Sequence, residues 1–81
     1  MSKFFYTYVL KSLVDNKLYT GWAADLKNRL FEHNSGNVES TKSRRPLVLV
    51  YYEACLSEDK AIKREKTLKT GFGRKFLENR I

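Results

Sequence analysis

Cysteine, proline and long apolar runs are scarce in this chain of 81 residues. Its single cysteine, Cys55, can form neither an intrachain disulfide nor a zinc cluster, which suits a reducing compartment. No segment is long and apolar enough to span a bilayer, and the N-terminal residues lack the pattern of a secretory signal. These absences predict a cytoplasmic protein with no membrane partner, and the short length predicts one domain over residues 1–81.

Acidic residues are also few. Nine Asp and Glu stand against sixteen Lys and Arg, which gives a formal net charge of +7. On so small a body this charge creates a positive field that attracts polyanions, so nucleic acid is the leading partner. A generically basic surface would have the same composition, and the order of the residues must decide between the two.

Three apolar runs predict the strands. Residues 4–10 are dense in aromatic and β-branched side chains, Asp15-Asn16 is a turn signal, and residues 17–22 continue as a second run. This pattern is typical of a β-hairpin. The almost continuous apolar run at 47–54 predicts a strand that is central to the sheet or otherwise covered on both faces.

Helix signals follow the hairpin and the third strand. Asp25 can cap a helix over residues 26–34, and Ser57 can cap a second helix that reaches about Thr70. Two glycines then break the chain before a short last helix. The polar residues 37–46 predict a basic surface loop outside the core. The expected order is β-β-α-β-α-α, an α+β fold with a small, three-stranded, mainly antiparallel sheet flanked by helices.

Two ionisable side chains of the first predicted helix lie at the edge of the predicted core. Arg29 and His33 lie one turn apart and flank the apolar stripe of their helix. They are either active-site groups or a snorkelling arginine and a solvated histidine near the helix end. Glu65 falls in the middle of the face that should be buried, so it is either a paired carboxylate, with Arg29 or a nearby Lys, or a ligand for Mg²⁺ or Mn²⁺.

Tyrosines of the hairpin are further candidates. Tyr6 and Tyr8 share one face of their strand, and Tyr19 lies on the next strand. A hydroxyl there can touch a phosphate, although strand tyrosines more often only pack. Gly21 either lets a backbone or phosphate come close or marks a bend.

These features coincide with short motifs in a fixed order. They are Tyr6-Thr7-Tyr8, Tyr19-Thr20-Gly21, the segment 25–36 with Arg and His in register, Ser40-Thr41-Lys42, Arg45-Pro46, Arg64-Glu65-Lys66 and the segment 68–71. The set resembles the GIY-YIG nuclease superfamily over nearly the whole chain. It is most similar to the small single-domain bacterial branch that resembles the N-terminal domain of the nuclease component of excinuclease ABC.

The resemblance implies a role for each matching residue. Tyr8 and Tyr19 are the motif tyrosines, Arg29 is the phosphate-binding cation, His33 is the next active-site position and Glu65 is the ligand of Mg²⁺ or Mn²⁺. The implied activity is endonucleolytic hydrolysis of phosphodiester bonds. Tyr19 is the first choice for general base, and His33 is the rival base because an imidazole titrates nearer neutral pH. Some family nucleases also use an Asn near the C-terminus, for which Asn79 is the nearest candidate.

Further cations are expected to bind the nucleic-acid backbone with little base specificity. They are Lys42, Arg44, Arg45, Lys63, Lys66 and Lys69. DNA is favoured over RNA as the substrate, a monomer or a dimer on its substrate is expected, and a role in DNA repair or recombination follows by family analogy.

Two other classes of function stay open. Trp22 stands where the repair enzymes carry Lys, and Tyr6 and Thr7 replace Gly and Ile of the first motif. These departures favour a module that has the same fold and binds nucleic acid but has lost the ability to hydrolyse it. The other alternative is a protein-interaction domain, which predicts neither metal dependence nor salt-sensitive affinity for DNA.

Overall fold

Residues 3–81 are described by a computed structural model, and they form the predicted α+β fold. The elements are β1 (Phe5–Ser12), β2 (Leu18–Ala23), α1 (Leu26–Asn34), a short 3₁₀ turn (Lys42–Arg44), β3 (Leu47–Cys55), α2 (Glu58–Leu68) and α3 (Gly71–Glu78). The strands form one antiparallel sheet in the order β2-β1-β3. Within this described range, no helix combines the length and the apolar character that crossing a membrane requires.

The central strand is β1, so the prediction that the third strand is central or otherwise covered on both faces was wrong. Tyr8 and Leu10 on one face of β1 are buried in the cluster that α1 covers. Val9 on the other face packs against Leu68 of α2 and Leu77 of α3. β3 is an edge strand with an exposed Tyr52. Both runs are apolar, and only the pairing of distant segments decides which of them is covered on both faces.

The caps of α1 and α2 are those that the sequence predicts. The Asp25 carboxylate accepts a hydrogen bond from the Asn28 N–H at 3.0 Å, and the Ser57 hydroxyl accepts one from the Lys60 N–H at 3.3 Å. Each cap satisfies a backbone donor that the first turn of a helix leaves free.

The boundary between α2 and α3 differs from the prediction. α2 ends at Leu68, and Thr70 caps α3, so Gly71 and Gly73 lie inside the last helix and do not precede it. A side chain on Gly73 would collide with the backbone of Leu68. This glycine therefore allows the start of α3 to pack closely against the end of α2.

The segment from α1 to β3 is held to the body of the protein, and the prediction of a surface loop was wrong for two of its residues. The Asn34 side chain bonds both the N–H and the carbonyl of Leu47, at 2.8 and 2.9 Å. Val38 and Thr41 of the same segment are buried. Thr41 can be buried because its hydroxyl has hydrogen-bond partners inside the protein.

Candidate active site

Gly21 makes room for the phenol of Tyr8. The two residues are partners across the β1–β2 ladder, and a Cβ on Gly21 would lie 2.5 Å from the Tyr8 hydroxyl oxygen. Tyr8 is itself buried, so the ring has little freedom to move aside. In this structure the close approach that a glycine permits is that of the Tyr8 side chain.

His33 is completely buried, and the alternative of a solvated histidine was wrong. Its Nε2 lies 2.7 Å from the Tyr8 hydroxyl, and its Nδ1 lies 2.7 Å from the Thr41 hydroxyl. The Val38 carbonyl, which can only accept, lies 3.5 Å from the Thr41 hydroxyl, and this long contact favours a Thr41 that donates to Val38 and accepts from the Nδ1–H of His33. This leaves Nε2 to accept the Tyr8 proton.

The Tyr8 and His33 pair is neutral near pH 7. Burial, with a contribution from the positive charge of Arg29, lowers the pKa of His33 below its ordinary value. Burial also raises the pKa of Tyr8. Both shifts disfavour the charged forms, in agreement with a phenol that donates to an uncharged imidazole.

A pH titration checks this assignment, because His33 is the only histidine of the chain. We expect its imidazole resonances to report a pKa below the ordinary 6.5. The unfolded chain then binds a proton that the folded chain does not, so stability falls as the pH drops below about 6.5, by at most about 1.4 kcal/mol per pH unit.

Urea unfolding between about pH 5.5 and pH 7 measures this slope, in a window above the range in which ordinary carboxyl groups titrate. A His33→Gln variant is the control, because it can have no such slope whatever its overall stability. An imidazole that titrates at or above its ordinary pKa would contradict the neutral pair.

Arg29, Tyr19 and Glu65 gather around the same phenol. The Tyr19 ring meets the His33 ring edge-on, with centroids 5.1 Å apart. The positive charge of Arg29 near the Tyr8 oxygen partly offsets the effect of burial on the pKa of Tyr8, whereas Tyr19 and Glu65 lie close enough to raise that pKa further. β1, β2, α1 and α2 thus each bring one of these side chains to a single place.

Glu65 lies on the face of α2 that carries the buried Ala61 and Leu68. Its side chain is 18% exposed, and an oxygen lies 3.4 Å from the Lys69 ammonium. That ammonium lies 6.0 Å from the centroid of the Tyr19 ring. The sequence left open whether Glu65 pairs with a neighbouring Lys or with Arg29. In the structure Glu65 pairs with Lys69, and Arg29 pairs with Glu32 at 3.8 Å.

The donor set fits a divalent cation that keeps most of its water. Within residues 3–81 no group of three or more His, Cys, Asp or Glu side chains is arranged to hold a metal ion, and Glu65 is the carboxylate at this site. Mg²⁺ commonly binds proteins through one or two carboxylates and completes its coordination with water and substrate phosphate. A single, mostly buried carboxylate such as Glu65 suits that mode of binding.

The cations predicted to bind nucleic acid are spread over several surfaces. Arg44 pairs with Asp15 at 3.3 Å, and Arg45 donates to the Lys42 carbonyl at 2.9 Å. Lys69 lies beside the site. Lys63 and Lys66 are exposed on α2, and Asn79 is the exposed C-cap of α3.

Thr41 is hydrogen-bonded to His33 in the site, but it was not among the site residues predicted from the sequence. It fixes His33 from the side opposite Tyr8. Its type and its polar surroundings are those of an ordinary loop residue. The sequence signal for Thr41 was its place in the Ser40-Thr41-Lys42 motif. That motif matches the family pattern but does not indicate what Thr41 does.

Comparison with known proteins identifies the family of this chain. A profile of the GIY-YIG catalytic domain matches residues 4–79, so the chain belongs to the GIY-YIG family. It is 44% identical over 66 residues to a UPF0213 protein of Staphylococcus haemolyticus, covering 80% of this chain and 79% of the relative. For a UPF0213 protein of Syntrophus aciditrophicus the identity is 46% over 66 residues, covering 79% and 75%.

A solved structure is similar as well. The solution NMR structure of a UPF0213 protein from Bacillus halodurans matches with a TM-score of 0.58 at 29% identity, covering 94% of this chain and 83% of that chain. The family predicted from the motifs and the predicted fold class are both confirmed.

Proposed function

We propose that this chain is a metal-dependent endonuclease that hydrolyses phosphodiester bonds in DNA with low sequence specificity. The observation that supports the proposal most strongly is the gathering of Arg29, Tyr19 and Glu65 around the buried Tyr8 hydroxyl. A cation, a hydroxyl and a carboxylate at one place are the groups that phosphoryl transfer to water requires.

Arg29 is the residue that holds the scissile phosphate in this proposal. Its side chain is 36% exposed, so a phosphate can reach it. Its guanidinium also lies near the Tyr8 phenol, which donates to His33, which donates to Thr41. These two hydrogen bonds hold the Tyr8 phenol in place beside the guanidinium, and His33 and Thr41 act as positioning residues.

Tyr19, in its phenolate form, is the proposed acceptor of the proton from the attacking water. It is only half-buried and lines an open cavity, whereas His33 has both ring nitrogens engaged and no exposed surface. Glu65 would hold Mg²⁺ or Mn²⁺, whose charge stabilises the negative charge that develops on the phosphate oxygens. A place in DNA repair or recombination follows from analogy with the excinuclease members of the family.

The test combines cleavage with binding. Labelled duplex, branched and single-stranded DNA and the matching RNAs are incubated with the protein in Mg²⁺, Mn²⁺ or EDTA. We expect cleavage of DNA that EDTA abolishes and that Tyr19→Phe reduces by about 10²-fold or more. Tyr52→Phe, on an exposed tyrosine of the edge strand, is the matched control and should keep the wild-type rate.

The two alternatives predict different results. A binding module binds DNA with strong salt dependence but cleaves no substrate in any metal. A protein-interaction domain neither cleaves DNA nor binds it in a salt-dependent way.

A further inference from the structure

A groove leads away from Tyr19 between the β1–β2 hairpin and α3. One cavity is lined by Leu18, Tyr19, Thr20, Leu68, Lys69, Arg74 and Leu77. A second cavity, towards the hairpin turn, shares Leu18, Arg74 and Leu77 with the first. Because three residues line both cavities, the two are neighbours on the surface, and we call them together the α3 groove.

The lining of the α3 groove is strongly basic. Lys69 and Arg74 line the part near Tyr19, and Lys11, Lys17 and Arg74 line the part near the turn. Glu78 is the single acidic residue that lines either cavity in the described part of the chain. The groove therefore has four cations and one anion, which favours a polyanion as its occupant.

Lys69 pairs with Glu65, and the other three cations are available to a ligand. In residues 3–81 none of Lys11, Lys17 and Arg74 forms a salt bridge with an acidic side chain. Arg44 and Arg64, by contrast, are paired with Asp15 and Glu53. Unpaired cations along a groove can release condensed counterions from a nucleic acid, whereas paired cations have already lost much of that capacity.

We propose that the α3 groove binds the strand of the nucleic-acid substrate that leads away from the scissile phosphate. Lys17 and Arg74 contact its backbone phosphates, and the apolar side chains of Leu18 and Leu77 lie under its sugars and bases. The occupant follows from the charge of the groove and from its continuity with Tyr19. This inference rests on the proposed nuclease function, whose substrate path it specifies.

The test measures binding with cleavage switched off. A Lys17→Ala/Arg74→Ala double variant and a Lys27→Ala/Lys60→Ala control lose the same charge. Lys27 and Lys60 line neither cavity of the α3 groove. Fluorescence anisotropy with a labelled DNA strand in EDTA gives the dissociation constant as a function of salt for each variant and for the wild type.

We expect the groove variant to bind about tenfold more weakly and its salt slope to flatten by about 1 to 2, while the control changes affinity less than about twofold. Equal losses in the two variants would overturn the inference, because net charge alone would then explain binding. Circular dichroism confirms that each variant is folded.

Cleavage by the same proteins in Mg²⁺ separates this inference from the proposed function. The groove variant should need about tenfold more DNA to reach half of its maximal single-turnover rate, because its substitutions weaken substrate binding, whereas the Lys27→Ala/Lys60→Ala control should keep the wild-type dependence on DNA concentration. If the wild type binds DNA through the α3 groove but does not cleave it, the nuclease proposal fails, whereas the proposal that the groove binds nucleic acid still holds. If the wild type cleaves but the two double variants bind equally well, the groove fails and the nuclease proposal remains.

Discussion

Replacing Arg29 with alanine is expected to reduce the rate of DNA cleavage by about 10²-fold to 10³-fold, as happens when a single preorganised donor to a developing negative charge is removed. The guanidinium is the exposed group near the Tyr8 phenol, which hydrogen bonds through His33 and Thr41 hold in place. Single-turnover cleavage of a labelled DNA measures the loss without interference from product release.

The fold should survive this substitution. Arg29 has one acidic partner, Glu32, at 3.8 Å on the same helix, and exposed pairs of this kind contribute at most about 0.5 kcal/mol. Lys27→Ala removes the same charge from the same helix and should leave the rate unchanged. Arg29→Lys keeps the charge but loses the planar fork, so we expect an intermediate rate. Equal rates for Arg29→Ala and Lys27→Ala would contradict the assigned role.

Replacing Glu65 with glutamine is expected to reduce cleavage by about 10³-fold, because loss of the cation removes several kcal/mol of transition-state stabilisation. Glutamine keeps the size and the hydrogen-bonding shape of the side chain and removes only its charge. The pair with Lys69 is an i,i+4 contact at the surface of α2, so its loss should cost about 0.3 to 0.5 kcal/mol of stability.

Glu58→Gln is the matched control for Glu65. It removes one carboxylate from the first turn of the same helix. We expect it to keep both the cleavage rate and the Mg²⁺ concentration required for half-maximal activity. If Glu65→Gln cleaves as fast as Glu58→Gln across a Mg²⁺ series, Glu65 does not hold the metal.

Features of the fold that depend on neighbouring residues could be predicted from the sequence. The caps at Asp25 and Ser57 need only a side chain and a backbone N–H three residues ahead. The hairpin needs two runs and the turn at Asp15-Asn16, where Asn16 has a positive φ of 60°. Such interactions are local, so the residues that form them are visible in a short window.

Features that depend on distant segments could not be predicted in the same way. The runs that became β1 and β3 are both apolar, and the strand order places the first in the centre. Thr41 is a polar residue in a polar segment, and only its contact with His33 explains its burial. Lys17 and Arg74 are far apart in the chain and share a groove because α3 packs beside the hairpin.

The candidate site was predicted more completely than its surroundings. Arg29, His33 and Glu65 were exceptional for their helices, and the family motifs selected the tyrosines among several in the hairpin. The structure brings these residues together. The environment that decides their protonation, with His33 neutral and completely buried, required the packing of α1 and the following segment on the sheet.

A double-mutant cycle tests most directly whether these residues form one catalytic site. Single-turnover nicking of supercoiled plasmid in Mg²⁺ is measured for the wild type, Arg29→Ala, Glu65→Gln and the protein that carries both substitutions. Residues that act on the same phosphate as a unit are strongly non-additive. We therefore predict that the double variant is about as slow as the slower single variant. Losses that multiply, or a wild type that leaves the plasmid intact in every metal, would contradict a single metal-assisted nuclease site.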